Sequence, residues 1–175
     1  LATLSGRPDV AKIEADPRIA AALPHPDAAA RRPASIDSIA WGVAKINAPA
    51  VWAAGFNGQG VVIGGEDTGY QWDHPALKSH YRGWNGSVAD HNYNWHDAIH
   101  DSSGNPCGND SPAPCDDYGH GTHTAGTFAG DDGASHQIGV APGAKWIGCR
   151  NMDDGDGTPA RYIECMQWML APTDL

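Results

Sequence analysis

No stretch of about 18 consecutive apolar residues occurs anywhere in the 175-residue chain, so no segment reads as a membrane-spanning helix. Basic residues are scarce. Eleven Lys and Arg stand against 21 Asp and Glu, a net charge of −10, which disfavours nucleic acid and anionic membranes as partners. The opening residues, LATLSGRPDV, contain no charged leader followed by an apolar core; a secretory signal, if the gene encodes one, is expected upstream. Cys-x-x-Cys is absent, which argues against a zinc knuckle, and so is the His-Glu-x-x-His of zinc peptidases.

What is present points to a folded domain with many turns. Seven Trp, five Tyr and 41% hydrophobic residues argue against disorder, while 22 Gly and 13 Pro imply long loops. Four cysteines, Cys107, Cys115, Cys149 and Cys165, suit two disulfides and an oxidising, extracytoplasmic compartment. Three pairings are open, of which 107–115 with 149–165 is the simplest, and four free thiols are the alternative.

Along the chain, DVAKIEA alternates in the manner of a strand, and LPHPDAAARRP reads as an exposed linker. GVVIGGEDTG has the continuous apolar run of a strand buried on both faces. Residues 78–118 form the least regular segment, a loop long enough to be functional or tied down. Thr122 to Ala129 reads as helix, APGAKWIGCRNM as a second buried strand, GDGTP as a turn and ARYIECMQWML as a helix. This order of strands and helices indicates an α/β fold with a mainly parallel sheet.

Two stretches carry chemistry. Gly65-Glu66-Asp67-Thr68-Gly69-Tyr70 puts a carboxylate at the tip of a strand, and Gly119-His120-Gly121-Thr122-His123 puts an imidazole between glycines at the mouth of a helix. His120 and His123 taken alone also suit two metal ligands, but no third ligand accompanies them. Asp-Thr-Gly is also used by aspartic proteases, which need two carboxylates sharing a proton; the sequence holds one.

Together the two stretches resemble the subtilisin-like serine proteases, which run Asp, His, Ser along the chain. GVVIGGEDTGYQWDHPAL is similar to that family's Asp block, GHGTHTAGTFAG to its His block, and IGVAPGAKWIGCR to the segment leading into its next strand. The GCRNM strand and YIECMQW helix are most similar to the bacillopeptidase F branch. The resemblance covers about residues 36–175. It implies a subtilisin-like α/β fold with helices on both faces of the sheet, and serine endopeptidase activity on protein or peptide substrates. Asp67 would orient His120, and His120 would serve as the general base.

The resemblance also makes Gly155, Asp156 and Gly157 a backbone strand that pairs with substrate, an ordinary turn being the alternative. The single charge of Asp156 would favour a basic residue at a distal substrate position. His123 is expected to pack on the inner face of its helix. Residues 1–24 are similar to the tail of an inhibitory propeptide and 25–35 form a linker, with Arg31-Arg32 a candidate maturation site and self-processing elsewhere between Leu23 and Ser35 the alternative. Residues 36–175 then form the N-terminal half of a catalytic domain.

Other features of the family pattern are missing. No Gly-Thr-Ser-Met-Ala block occurs, so the sequence carries Asp and His without the nucleophile. The fold is therefore expected to be partial, the chain inactive alone, and the partner either a companion chain with the remaining half or a second copy. A pseudoprotease or protease-regulating fragment is the alternative function.

No cofactor is required. A structural calcium ion could take oxygens from Asp131-Asp132, but exposed turn carboxylates explain them more simply, and Ala76 stands where many family members carry an Asp ligand. His96, Asp97, His100 and Asp101 have metal-compatible spacing, but a solvated polar loop explains them more simply. Glu66 is expected to point away from Asp67 as a bystander or the neighbour of a cation.

Overall fold

A computed structural model describes residues 2–22, 39–134 and 136–174. The linker and Arg31-Arg32 lie outside the described residues. Its elements begin with α1 (Ala2–Ser5), β1 (Ile19–Ala20), α2 (Trp41–Lys45), α3 (Ala48–Ala53) and β2 (Val62–Asp67). After a 3-10 turn at Lys78–His80 come β3 (Trp95–Asp97), α4 (His120–Ala129), β4 (Lys145–Arg150), β5 (Met152–Asp153), β6 (Asp156–Gly157) and α5 (Pro159–Leu170).

β4 is the spine. It runs parallel to β2 from Val62↔Lys145 to Asp67↔Arg150, and to β3 from Trp95↔Gly148 to Asp97↔Arg150, giving the order β2-β4-β3. Alternation along a strand sends neighbours to opposite faces, so β4 supplies two cores. Trp146 packs with Tyr70, Leu77, Tyr81, Trp95 and Ala125, and Phe128 of α4 lies against this cluster. Ile147 and Cys149 pack with Ala98, Cys165 and Trp168 of α5. The expected helices on both faces are therefore present. A Cβ at Gly64 would meet Met169 of α5, and one at Gly65 would meet Tyr70 and Phe128.

α5 starts where its sequence signals place it. The Thr158 hydroxyl accepts from the Arg161 amide and Pro159 fills the first turn, where no intrahelical N–H is needed. β5 and β6 form a hairpin, Met152↔Gly157 and Asp153↔Asp156. Its two loop residues, Asp154 (φ 51°) and Gly155 (φ 87°), both take the left-handed conformation that matches strand twist in two-residue hairpins.

Three expectations are corrected. DVAKIEA forms no strand; its residues are almost all exposed with no sheet edge beside them, and Lys12 pairs with Glu14 in solvent. The strand lies later, at β1, which adds antiparallel to β6 through Ile19↔Gly157 and Ala20↔Asp156. β2 is not buried on both faces, because Val61 just before it and Val62 at its start are exposed and full burial is reached only at Asp67. His96, Asp97, His100 and Asp101 do not all lie in a solvated polar loop either: His100 and Asp101 are exposed, but Asp97 is buried at the end of β3, within a 78–118 segment that the Cys107–Cys115 disulfide ties down. That segment contributes β3 and the buried Tyr81, Trp95, Asp97, Ala98 and Ile99.

The irregular segment is held by a buried cation. Arg150 is fully buried and donates to both oxygens of Asp97, from Nε at 2.9 Å and from Nη2 at 2.7 Å. It also donates to the Gly108 carbonyl and Asn105 Oδ1, and lies 3.4 Å from Asp117 Oδ2. Disulfides join Cys107 to Cys115 within this segment and Cys149 to Cys165 between β4 and α5.

Candidate active site

Asp67 is the last residue of β2 and His120 the first of α4, and tight backbone approach brings them together. A side chain at Gly121 would overlap the Gly69 carbonyl oxygen, and one at Gly69 (φ 108°) would overlap the Cys115 carbonyl oxygen. Only glycine allows the strand end, the main chain at 115–116 and the helix start to nest this closely. Within that nest His120 Nδ1 lies 2.7 Å from Asp67 Oδ1. The Thr68 amide donates to the same oxygen at 2.7 Å, and Thr124 Oγ1 donates to Oδ2 at 3.1 Å.

The carboxylate is thus fixed from three sides, and it holds one ring nitrogen of the imidazole. With Nδ1 engaged, Nε2 is the nitrogen left to exchange a proton. The side chain of Asp67 is 10% exposed and that of His120 is 21% exposed, so the imidazole is the reachable member of the pair.

Asp116, which the sequence reading did not single out, secures the geometry. Its carboxylate accepts from the Gly119 and Thr122 amides at 2.7 and 2.8 Å, capping α4 where acidic groups are favoured. It also accepts from the Thr68 hydroxyl at 2.8 Å, and that hydroxyl accepts from the Gly121 amide at 3.0 Å. One carboxylate therefore couples the residue after Asp67 to the residue after His120. Its signal in the sequence is an acid four residues before a Gly-His helix start.

The other candidate residues are dispersed. His123 is exposed, because the inner face of α4 is carried by Gly121, Ala125 and Ala129. It lines a cleft of about 430 Å³ with His74, Leu77, Gly126, Thr127 and Ile138. Asp97 is held by Arg150 and Asp101 by Arg161 at 2.6 Å, while His96 and His100 both reach Glu164. Those four residues share no common centre. Asp131 accepts from the Gly133 amide, and Asp132 accepts from the Ala134 amide and pairs with His136.

Gly155, Asp156 and Gly157 sit in the β5–β6 hairpin, which leaves β4 directly beside Asp67; the Asn151 amide donates to the Asp67 carbonyl at 3.0 Å. The hairpin has a turn at 154–155 and a pairing edge at 156–157, where β1 is seated. Among the described residues Glu66 meets no cation: Oε2 is buried without a hydrogen-bond partner, and burial raises its carboxyl above the ordinary value.

Comparison with known proteins bears on the same elements. Residues 58–174 match the family described as "Subtilase family". The chain is 42% identical over 142 residues to bacillopeptidase F of Bacillus subtilis (strain 168), covering 79% of this chain and 9% of that protein. It is 33% identical over 112 residues to the major intracellular serine protease of the same organism, covering 64% of this chain and 30% of the relative. It is 30% identical over 132 residues to subtilisin BL of Lederbergia lenta, covering 75% and 40%. The chain therefore spans well under half the length of each of these relatives.

Proposed function

The chain belongs to the subtilase family, and we propose that it forms the Asp-His portion of a serine endopeptidase that hydrolyses peptide bonds in protein substrates. The observation that carries this reading is the 2.7 Å contact between His120 Nδ1 and Asp67 Oδ1. In the proposed mechanism Asp67 holds the imidazole with its proton on Nδ1 and stabilises the imidazolium that forms. His120 Nε2 removes the proton of a serine hydroxyl as that oxygen attacks the substrate carbonyl. The same proton then passes from Nε2 to the leaving amine. No Gly-Thr-Ser block lies within the 175 residues, so the serine is supplied by chain outside this sequence.

Aspartic protease chemistry has no support here. The Asp67 oxygens face His120, Thr68 and Thr124 instead of a second carboxylate. For substrate binding, Gly155-Asp156-Gly157 is the proposed edge to which an extended peptide adds as a strand. The seating of β1 on β6 supports that reading and supports residues 2–22 as an inhibitory segment folded onto the enzyme's own cleft. Two disulfides support an extracytoplasmic location. The test is peptide hydrolysis by the full-length protein. Asp67→Asn is expected to cut kcat by on the order of 10⁴-fold with the fold intact, and full activity in that variant would refute the assignment.

A further inference from the structure

Resting on the reading that β6 takes a peptide strand, we infer that Asp156 and Asp153 form a subsite for an arginine placed immediately before the two strand-paired residues of that peptide. The chain's own segment shows the fit. β1 pairs with β6 through Ile19↔Gly157 and Ala20↔Asp156, and the Ala21 amide donates to the Gly155 carbonyl at 3.2 Å. This pairing fixes the register and delivers the preceding residue, Arg18, to the hairpin. Arg18 Nε lies 2.8 Å from Asp156 Oδ2, and its Nη2 lies 3.8 Å from Asp153 Oδ2.

The surroundings favour a cation here. The adjoining cleft, about 660 Å³, is lined by five carboxylates, Asp16, Asp101, Asp117, Asp153 and Asp154, against two cationic groups, Arg18 itself and Arg161. Arg161 pairs through Nη2 with Asp101 at 2.6 Å, while its Nη1 has no hydrogen-bond partner. Asp117 shares Arg150, has a fully buried side chain, and keeps one oxygen without a hydrogen-bond partner. Among the described residues, Arg18 is the cation that pairs with Asp153 and Asp156. A planar guanidinium with separated nitrogens can reach two carboxylates on adjacent strands, whereas a lysine ammonium is a single point charge. Two residues further back, Asp16 accepts from the Ala160 amide in the first turn of α5 at 2.9 Å, so the contact continues past the subsite. The substrate class that follows is a peptide with arginine at this position and small or aliphatic residues at the next two.

Two readouts test it on the full-length protein. The first is kcat/KM for quenched-fluorescence peptides with the sequence of residues 14–26 and its R18Q and R18K counterparts. The arginine peptide is expected to be cleaved about fivefold faster than the glutamine peptide, the gain typical of a partly exposed ion pair, and D156N is expected to abolish the preference. The second is hydrogen exchange at the Ala21 amide in the uncleaved chain. About fivefold faster exchange is expected in R18Q and in D156N, with protection restored in the charge-swapped R18D/D156R protein. Equal cleavage of arginine and glutamine peptides, or unchanged Ala21 exchange in both single variants, overturns the subsite. Failure to cleave any peptide counts against the peptidase reading, and the exchange readout then decides the subsite by itself.

Discussion

The junction of β2 with α4 and the segment 78–118 bring distant residues together by opposite means. At the junction, Asp67 and His120 meet because glycines at 69 and 121 let main chains touch, and a few amide and hydroxyl contacts then orient the side chains. In the long segment the backbone has little regular pairing, and one buried guanidinium draws Asp97, Asn105, Gly108 and Asp117 around itself. The first device tolerates no added atom. The second tolerates no lost charge.

Removing the charge should have the larger effect on stability. Arg150→Met leaves Asp97 and Asp117 buried without their cation, an expected loss of about 3–5 kcal/mol in urea unfolding of the full-length protein. The double variant Arg150→Met/Asp97→Leu should recover part of that loss, because the pair is removed together. A double variant less stable than the sum of the singles would show that the network is not held by charge pairing.

Adding an atom at the junction comes next. Gly121→Ala forces a methyl group against the Gly69 carbonyl and Asp67 Cβ, costing about 1–3 kcal/mol and displacing His120 from Asp67. Unchanged stability and activity in that variant would mean that the nest is looser than described.

Smaller effects follow from titration. His100 donates to Asp110 and contacts Glu164, and these partners raise its pKa above the ordinary 6.5, the Asp110 hydrogen bond contributing most. A raised folded pKa means that the stabilisation is fully present below the ordinary value and fades as pH rises through the folded one. His100→Gln should therefore lower the unfolding midpoint at pH 5.5 more than at pH 8.5, and the reverse order would contradict the contact.

Glu66 gives the weakest signal: its contribution to stability also falls as pH rises, but here the substitution removes a cost instead of a contact. Burial raises its carboxyl, so the charged form carries a cost that appears as pH rises through the carboxylate range. Glu66→Gln should raise the melting temperature slightly at pH 7 and leave it unchanged at pH 3; a lower melting temperature at pH 7 would point to an unseen cation.

The same contrast explains what was legible in the sequence. Glycine-dependent contacts leave short, fixed spacings, so GEDTGY, GHGTHTAG, both main helices and the strand β4 could be placed from the residues alone. Asp116 was missed because a cap three or four residues before a helix looks like any loop acid. β3 was missed because only three residues pair, and Arg150 because nothing in GCRNM distinguishes a buried cation from an exposed one. DVAKIEA misled in the other direction. Its alternation has period two, but a strand also needs a free edge, and within residues 2–22 it is Ile19 and Ala20 that pair with one.

The central claim, that His120 held by Asp67 is the proton-handling group of a serine nucleophile, is tested most directly by active-site labelling. The full-length protein and its His120→Ala variant would be treated with a fluorophosphonate probe, and the labelling rate of the reactive serine compared. Loss of the imidazole should slow labelling by on the order of 10⁴-fold or more, with the 175-residue chain alone unlabelled. Equal rates for the two full-length proteins would contradict the role assigned to His120.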